Sequence, residues 1–151
     1  MTPADLVSFF RVYPYAVQAC VTPDGAPQAA VVGVAVTDAL ELVFDTLGRT
    51  RKASNLRLNP RIAFVLGGDD ATVQYDGLAD EPAGGELHRL KNTYLERFPE
   101  RRRRATLPDL TYFRARPLWI RYAAFRNGNP EIFEWSGLSL AEHPTRERWT
   151  A

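Results

Sequence analysis

The sequence predicts a mainly β fold, a closed or partly open antiparallel barrel of six to eight strands with two or three inserted helices. Two observations carry this. Apolar runs of strand length recur along the chain with tight turns between them, and helical spacing is confined to a few short segments. No internal repeat or linker divides the 151 residues, of which 45% are hydrophobic and 11% aromatic, so one domain over residues 1–151 is expected.

The elements follow in order. Thr2, Pro3 and Asp5 form a helix start, with a capping hydroxyl, proline at the first helical position and an acid in the first turn; Leu6, Phe9 and Phe10 give it an apolar face. "YAVQACV" from Tyr15, "PQAAVVGVAV" and "LELVFDT" then read as three antiparallel strands, joined at Thr22-Pro23-Asp24-Gly25 and near Thr37-Asp38. Residues Ala29 to Val36 are apolar on both faces, so a core, a ligand or a partner subunit must cover each side. A helix from Thr50 to Leu58 stops at Asn59-Pro60. After it come "RIAFVLGG", a turn through Gly67 to Asp70, and "ATVQYDGLADEP", where Gly77 marks a bulge or bend. Leu87, Leu90, Tyr94 and Phe98 predict a helix over Glu86–Phe98, ended by Pro99. "LTYFRARPLWIRYAAF" resumes the strand pattern, interrupted by Pro117, and Asn127 to Pro130 turns it into "EIFEW". The tail from Ser136 reads as irregular.

Charge and motifs exclude several classes. Nineteen Lys and Arg balance eighteen Asp and Glu for a net +1, so no overall field points to nucleic acid or a membrane surface. No run approaches the roughly 18 apolar residues needed to span a bilayer, and the N-terminus lacks the parts of a signal peptide. The expectation is a soluble cytoplasmic protein. Cys20 reads as a small buried apolar residue. His88 and His143 show no metal-ligand spacing, and there is no Gly-x-Ser-x-Gly elbow, so neither a metal site nor a serine hydrolase is expected. The carboxylate pairs Asp69-Asp70 and Asp80-Glu81 read as solvated turns. The run Arg101 to Arg104 reads as a solvated loop partly paired with Glu96 and Glu100, and Trp119 remains a weak ligand-facing candidate.

"DTLGRTRKASNLRLNP", Asp45 to Pro60, is different. With Thr50 as N-cap, Arg51 and Lys52 fall in the first helical turn, where the dipole disfavours each cation by about 0.3–1 kcal/mol. Thr46 ends a strand and Gly48 relaxes the loop. Hydroxyls, free amides and two cations within one turn meet the requirements for holding a phosphate dianion. The alternative is that Arg51 and Lys52 are surface residues tolerating a poor position.

"FDTLGRTRKASNLRLNPRIAFVLG" also resembles the pyridoxamine 5'-phosphate oxidase-like split β-barrel superfamily: an aromatic-x-Thr strand end, a short loop, Ser/Thr-Arg-Lys, then Asn-Leu-x-x-Asn-Pro-Arg and an apolar strand. The likeness extends from Tyr13 to about Phe125. It implies a split antiparallel barrel, a homodimer and FMN at the subunit interface, with the deazaflavin F420 as the alternative cofactor and haem in some members. By position, Arg51 and Lys52 would hold the phosphate with Thr50 beside them. Asp45 and Thr46 would lie by the ribityl chain and flavin edge, and Ala30, Val31, Val32 and Gly33 would run alongside the ring. The arginine and lysine that true pyridoxamine phosphate oxidases carry on this strand are replaced here by apolar residues, and the tail lacks their Arg-Leu-His-Asp/Glu-Arg substrate motif. The expected function is thus an FMN-dependent oxidoreductase acting on a small molecule other than pyridoxamine phosphate, with no catalytic side chain assignable. The alternative is a non-catalytic flavin, F420 or haem binding protein on the same barrel.

Overall fold

Thr2 opens the chain's first helix with a reciprocal cap: its backbone N–H donates to Asp5 Oδ2 at 2.7 Å and the Asp5 N–H donates back to Thr2 Oγ1 at 3.1 Å. The computed structural model describes residues 1–126, 128–137 and 145–147. Helix α1 (Pro3–Val12) buries Leu6, Val7 and Phe10 against a sheet of nine strands. These are β1 (Tyr15–Val21), β2 (Pro27–Gly33), β3 (Ala35–Val36), β4 (Leu42–Leu47), β5 (Arg61–Gly67), β6 (Ala71–Asp80), β7 (Leu110–Arg126), β8 (Asn129–Ser136) and β9 (Thr145–Glu147). Helix α2 (Arg51–Leu58) lies between β4 and β5, and α3 (Gly84–Arg97) between β6 and β7. Among the described residues, no helix is long and apolar enough to cross a membrane.

The strand order is β2-β1-β5-β6-β7-β4-β3, with every pairing antiparallel. Strand β7 makes this a curled, split barrel. One edge pairs with β6 through residues 114–124, while the other carries β4 along its first third and β8 from Trp119 onward. Pro117 does not interrupt the strand as expected. It sits opposite Gly77, where the register shifts and Leu118 is left over as a bulge, a position that needs no ladder donor.

Gly77 is fixed by contact, since a Cβ there would lie 2.5 Å from the Arg116 carbonyl oxygen and 2.9 Å from Tyr75 Cε1. Gly77→Ala is expected to destabilise the fold by about 1–3 kcal/mol, read as a lower urea midpoint. Gly85→Ala, with open space around its Cβ, is the control that leaves the midpoint unchanged or raised.

Two cores flank β3, β4 and the start of β7. Leu42, Phe44 and Phe113 join the barrel interior, where Phe44 stacks on Phe113 at 5.7 Å. Val43, Ala35 and Tyr112 face the other way, under Leu90, Tyr94, Leu95 and Phe98 of α3 and its C-cap. Within the chain, the segment from Ala29 to Val36 is therefore covered on both faces only in its second half. The strand breaks at Val34, whose N–H donates to Pro14 O, and residues 34–36 are buried between the cores. On β2 the outward positions stay open: Val31 is 69% exposed and joins Tyr15, Val17 and Val65 in an uncovered apolar face. The tail expected to be irregular contains β9, which pairs with β8 over Ile132–Glu134. A segment as short and polar as Thr145–Glu147 carries no strand signal of its own. His143 lies outside the described residues.

Candidate functional site

Thr50 caps α2 as expected, at φ −72° and ψ 156°, with its hydroxyl accepting from the Ala53 N–H at 3.4 Å. The same hydroxyl lies 3.0 Å from Thr46 Oγ1 at the end of β4, so strand and helix present two hydroxyls side by side. The loop between them is braced from α2: Arg57 donates to Gly48 O at 2.7 Å and holds Glu81 through Nε (2.5 Å) and Nη2 (3.0 Å). No acid lies in the first turn of α2. Arg51 is exposed and Lys52 half-buried at that positive end.

A groove follows β2, which ends its side of the sheet and leaves one backbone edge unpaired among the described residues. The start of α2 divides the groove. On one side is a cavity of about 430 Å³, lined by Gln18, Gln28, Ala30, Thr50, Arg51 and Lys52. On the other is one of about 400 Å³, bordered by Val31, Val32, Gly33, Asp45, Thr46, Thr50 and Lys52. Every residue expected at the site from sequence thus borders one groove, with Thr50 and Lys52 common to both halves.

The structure adds residues that the sequence reading placed elsewhere. Arg101 and Arg104 do not pair with Glu96 and Glu100 in solvent. They turn into the second cavity onto Asp45, with Arg104 Nε 3.0 Å from Oδ2 and Arg101 Nη1 3.6 Å from Oδ1. Arg101 also donates to the Tyr94 hydroxyl and lies 4.5 Å over the Phe98 ring. Gly33 admits it: a Cβ there would stand 2.8 Å from Arg101 Nη1 and 3.0 Å from Phe98 Cζ. Burial pushes the Tyr94 hydroxyl well above its usual range, and the Asp45 charge adds to this; Tyr112 rises for the same two reasons. Both hydroxyls stay protonated at physiological pH. Among the described residues of this half, three cations face one carboxylate, which leaves it net positive.

In the first cavity, Gln18 is 1% exposed and its Nε2 has no hydrogen-bond partner. Asn55, buried one turn into α2, contacts Gln28 at 2.8 Å and the Cys20 sulfur at 3.6 Å. Cys20 is buried as expected. Several other expectations resolve away from the groove. His88 faces outward on α3 beside Asn92, and among the described residues no cluster of His, Cys, Asp and Glu could hold a metal ion. Trp119 is half-buried on β7 and borders neither half of the groove. Asp80 and Glu81 are not merely solvated turn acids: they pair with Arg114 and Arg57.

The sequence model for the pyridoxamine 5'-phosphate oxidase family matches residues 3–124, and the chain belongs to that family. Among solved structures, a heme binding protein from Mycobacterium smegmatis superposes with a TM-score of 0.78 at 19% identity, over 93% of this chain and 60% of its own. The chain thus spans about 60% of that protein's length. A pyridoxamine 5'-phosphate oxidase-related, FMN binding protein from Nostoc punctiforme gives 0.69 at 13% identity, over 99% and 91%. The heme storage protein HutZ of Vibrio cholerae gives 0.67 at 19% identity, over 78% and 91%. At such identities the likeness is one of fold. Comparison with curated proteins gives no match.

Proposed function

We propose that this chain is a flavin-binding split barrel that holds FMN in the groove along β2 and contributes binding and orientation with no catalytic side chain of its own. One observation carries the reading: the acid-free start of α2, with Thr46, Thr50, Arg51 and Lys52, opens onto the groove from both sides. That donor set suits a phosphate dianion. The unpaired edge of β2 at Ala30–Gly33 and the arginines at Asp45 would then border the rest of the cofactor. F420, which also carries a phosphate, is the alternative ligand. Haem is favoured by the two heme proteins among the fold relatives, but His88 faces away from the groove and supplies no axial ligand there.

A second reading, an FMN-dependent oxidoreductase acting on a small molecule, is favoured by the net positive half of the groove at Arg101 and Arg104, which offers room and charge beyond the phosphate end. FMN supplies hydride or electron-pair chemistry when bound; the chain's residues would fix its phosphate and orient the ring. The open apolar face of Tyr15, Val17, Val31 and Val65 supports a homodimer that covers β2 and completes the site. A cytoplasmic location fits both readings.

Titration of the purified protein with FMN, followed by flavin fluorescence, is expected to give micromolar or tighter binding. Sedimentation on the same sample reads the dimer. Failure to bind either FMN or F420 would end the flavin reading, and a haem spectrum without flavin binding would replace it. Reduction of bound FMN by NAD(P)H, with reoxidation by an acceptor, would select the oxidoreductase over the binding protein.

A further inference from the structure

Arg51 does not stand free at the start of α2. Its neighbour across the groove is Gln28, half-buried on β2 and paired in register with Cys20 of β1. A guanidinium has donors only, so of the two ends of the Gln28 amide just the oxygen can bond it. In that orientation Oε1 accepts from Arg51 Nη1 at 3.0 Å, from Nε at 3.1 Å and from Nη2, while Nε2 comes to 2.8 Å from the Asn55 amide. Two NH₂ groups facing each other form no bond, so this orientation calls for the Asn55 oxygen to face Gln28 in place of the Nδ2 that otherwise donates to Gln28 Oε1 at 2.8 Å and to Cys20 Sγ at 3.6 Å. The result is a continuous relay from the buried interior of α2, through the edge strand, to an otherwise exposed cation.

We propose that Gln28 is a positioning residue for phosphate recognition: anchored on Asn55, it fixes the Arg51 guanidinium over the first cavity before any ligand arrives. The proposal rests on reading this cavity as a phosphate site. An exposed arginine on a free helix start samples many rotamers, and ordering it would be charged against ligand binding. The relay removes that disorder in advance. Arginine has five N–H groups, and Gln28 Oε1 occupies one part of them, leaving the others for phosphate oxygens. A neutral amide is the suitable anchor. A carboxylate in its place would neutralise Arg51 and repel the incoming dianion.

The predicted consequence is selectivity for the phosphate of a flavin over its ring. FMN and riboflavin share the ring and differ in that group, so they are the probes, with inorganic phosphate as a third. Gln28→Leu is expected to weaken FMN about tenfold and riboflavin by less than about twofold. Gln28→Glu, which keeps the size, is expected to weaken FMN further. In an Arg51→Ala background Gln28→Leu is expected to change FMN affinity by less than about twofold, since there is no guanidinium left to orient. Gln28 lies at a sheet edge with its side chain partly in solvent, and circular dichroism melts confirm that the variants fold. Equal losses for FMN and riboflavin, or a Gln28→Leu effect that persists without Arg51, would overturn the proposal. Should the wild type bind inorganic phosphate but not FMN, and Gln28→Leu weaken phosphate, the relay stands and the flavin reading falls. Should it bind neither, both fall.

Discussion

Replacing Arg51 and Lys52 together by alanine is expected to lower FMN affinity about 100-fold, because two charge-assisted contacts worth roughly 1.5–3 kcal/mol each are lost and neighbouring groups recover part of the difference. Riboflavin, lacking the phosphate, is the internal control and should be nearly unaffected. The second half of the expected result has the opposite sign. Both cations sit in the first turn of α2, which contains no acid, so their removal should stabilise the unliganded protein, by about 0.3–1 kcal/mol for Lys52 and by less for Arg51, whose hydrogen bonds to Gln28 are lost with it. Fluorescence titration reads the first effect and urea unfolding of the apo protein the second. A double variant that binds FMN as tightly as the wild type returns Arg51 and Lys52 to the status of tolerated surface cations. One that is less stable in the apo form contradicts the helix-dipole account. This opposition of binding and stability is what marks a residue retained for a ligand.

The start of α2 was readable in the sequence because its determinants are local. A capping threonine, two cations and a terminating Asn59-Pro60 lie within a dozen residues, and capping and dipole rules act at that range. The same holds for β1, β5 and β6, where alternation and turn residues coincide. Arg101 and Arg104 were not readable as site residues. They reach Asp45 across more than fifty positions of chain, from short 3₁₀ turns at Pro99–Arg102 and Arg104–Thr106 that carry no periodic signature. Gln18 and Gln28 did leave a trace. Ala16, Gln18 and Cys20 share the buried face of β1, and a glutamine at that parity is a polar residue aimed at an interior. Its cross-strand partner is Ala30, one of the positions expected to border the cofactor. Pro117 misled for a related reason. A proline argues against a central strand unless a bulge absorbs it, and the bulge depends on Gly77, forty residues earlier and on another strand.

The largest expected effect on stability belongs to a residue far from these contacts. Arg114 on β7 is 6% exposed and ties its strand to two other elements and the loop before β4: Nε and Nη2 reach Asp80 of β6 at 3.0 and 2.8 Å, and Nη1 reaches Glu86 of α3 at 3.0 Å and Glu41, just before β4, at 3.3 Å. Arg114→Ala leaves these carboxylates facing one another without their common cation; Asp80 and Glu86 stay partly in solvent and Arg89 still serves Glu41 and Glu86, so the cost falls below that of a fully buried pair, at about 2–3 kcal/mol. The Arg114 hydrogen bonds hold the Asp80 carboxyl below its ordinary value of 3.8, and Arg89, with Arg114 behind it, does the same for Glu86 from 4.5. A depressed carboxylate pKa contributes stability that is fully present above the unfolded value and is lost as pH falls through the folded one. The gap between wild type and Arg114→Ala should therefore be widest at neutral pH and narrow below about pH 4, as the carboxylates that Arg114 serves become protonated in both proteins. Urea midpoints at pH 7 and pH 3 measure it. A gap of equal size at both would mean that Arg114 acts through the packing of its side chain between α3 and the sheet, with its charge incidental.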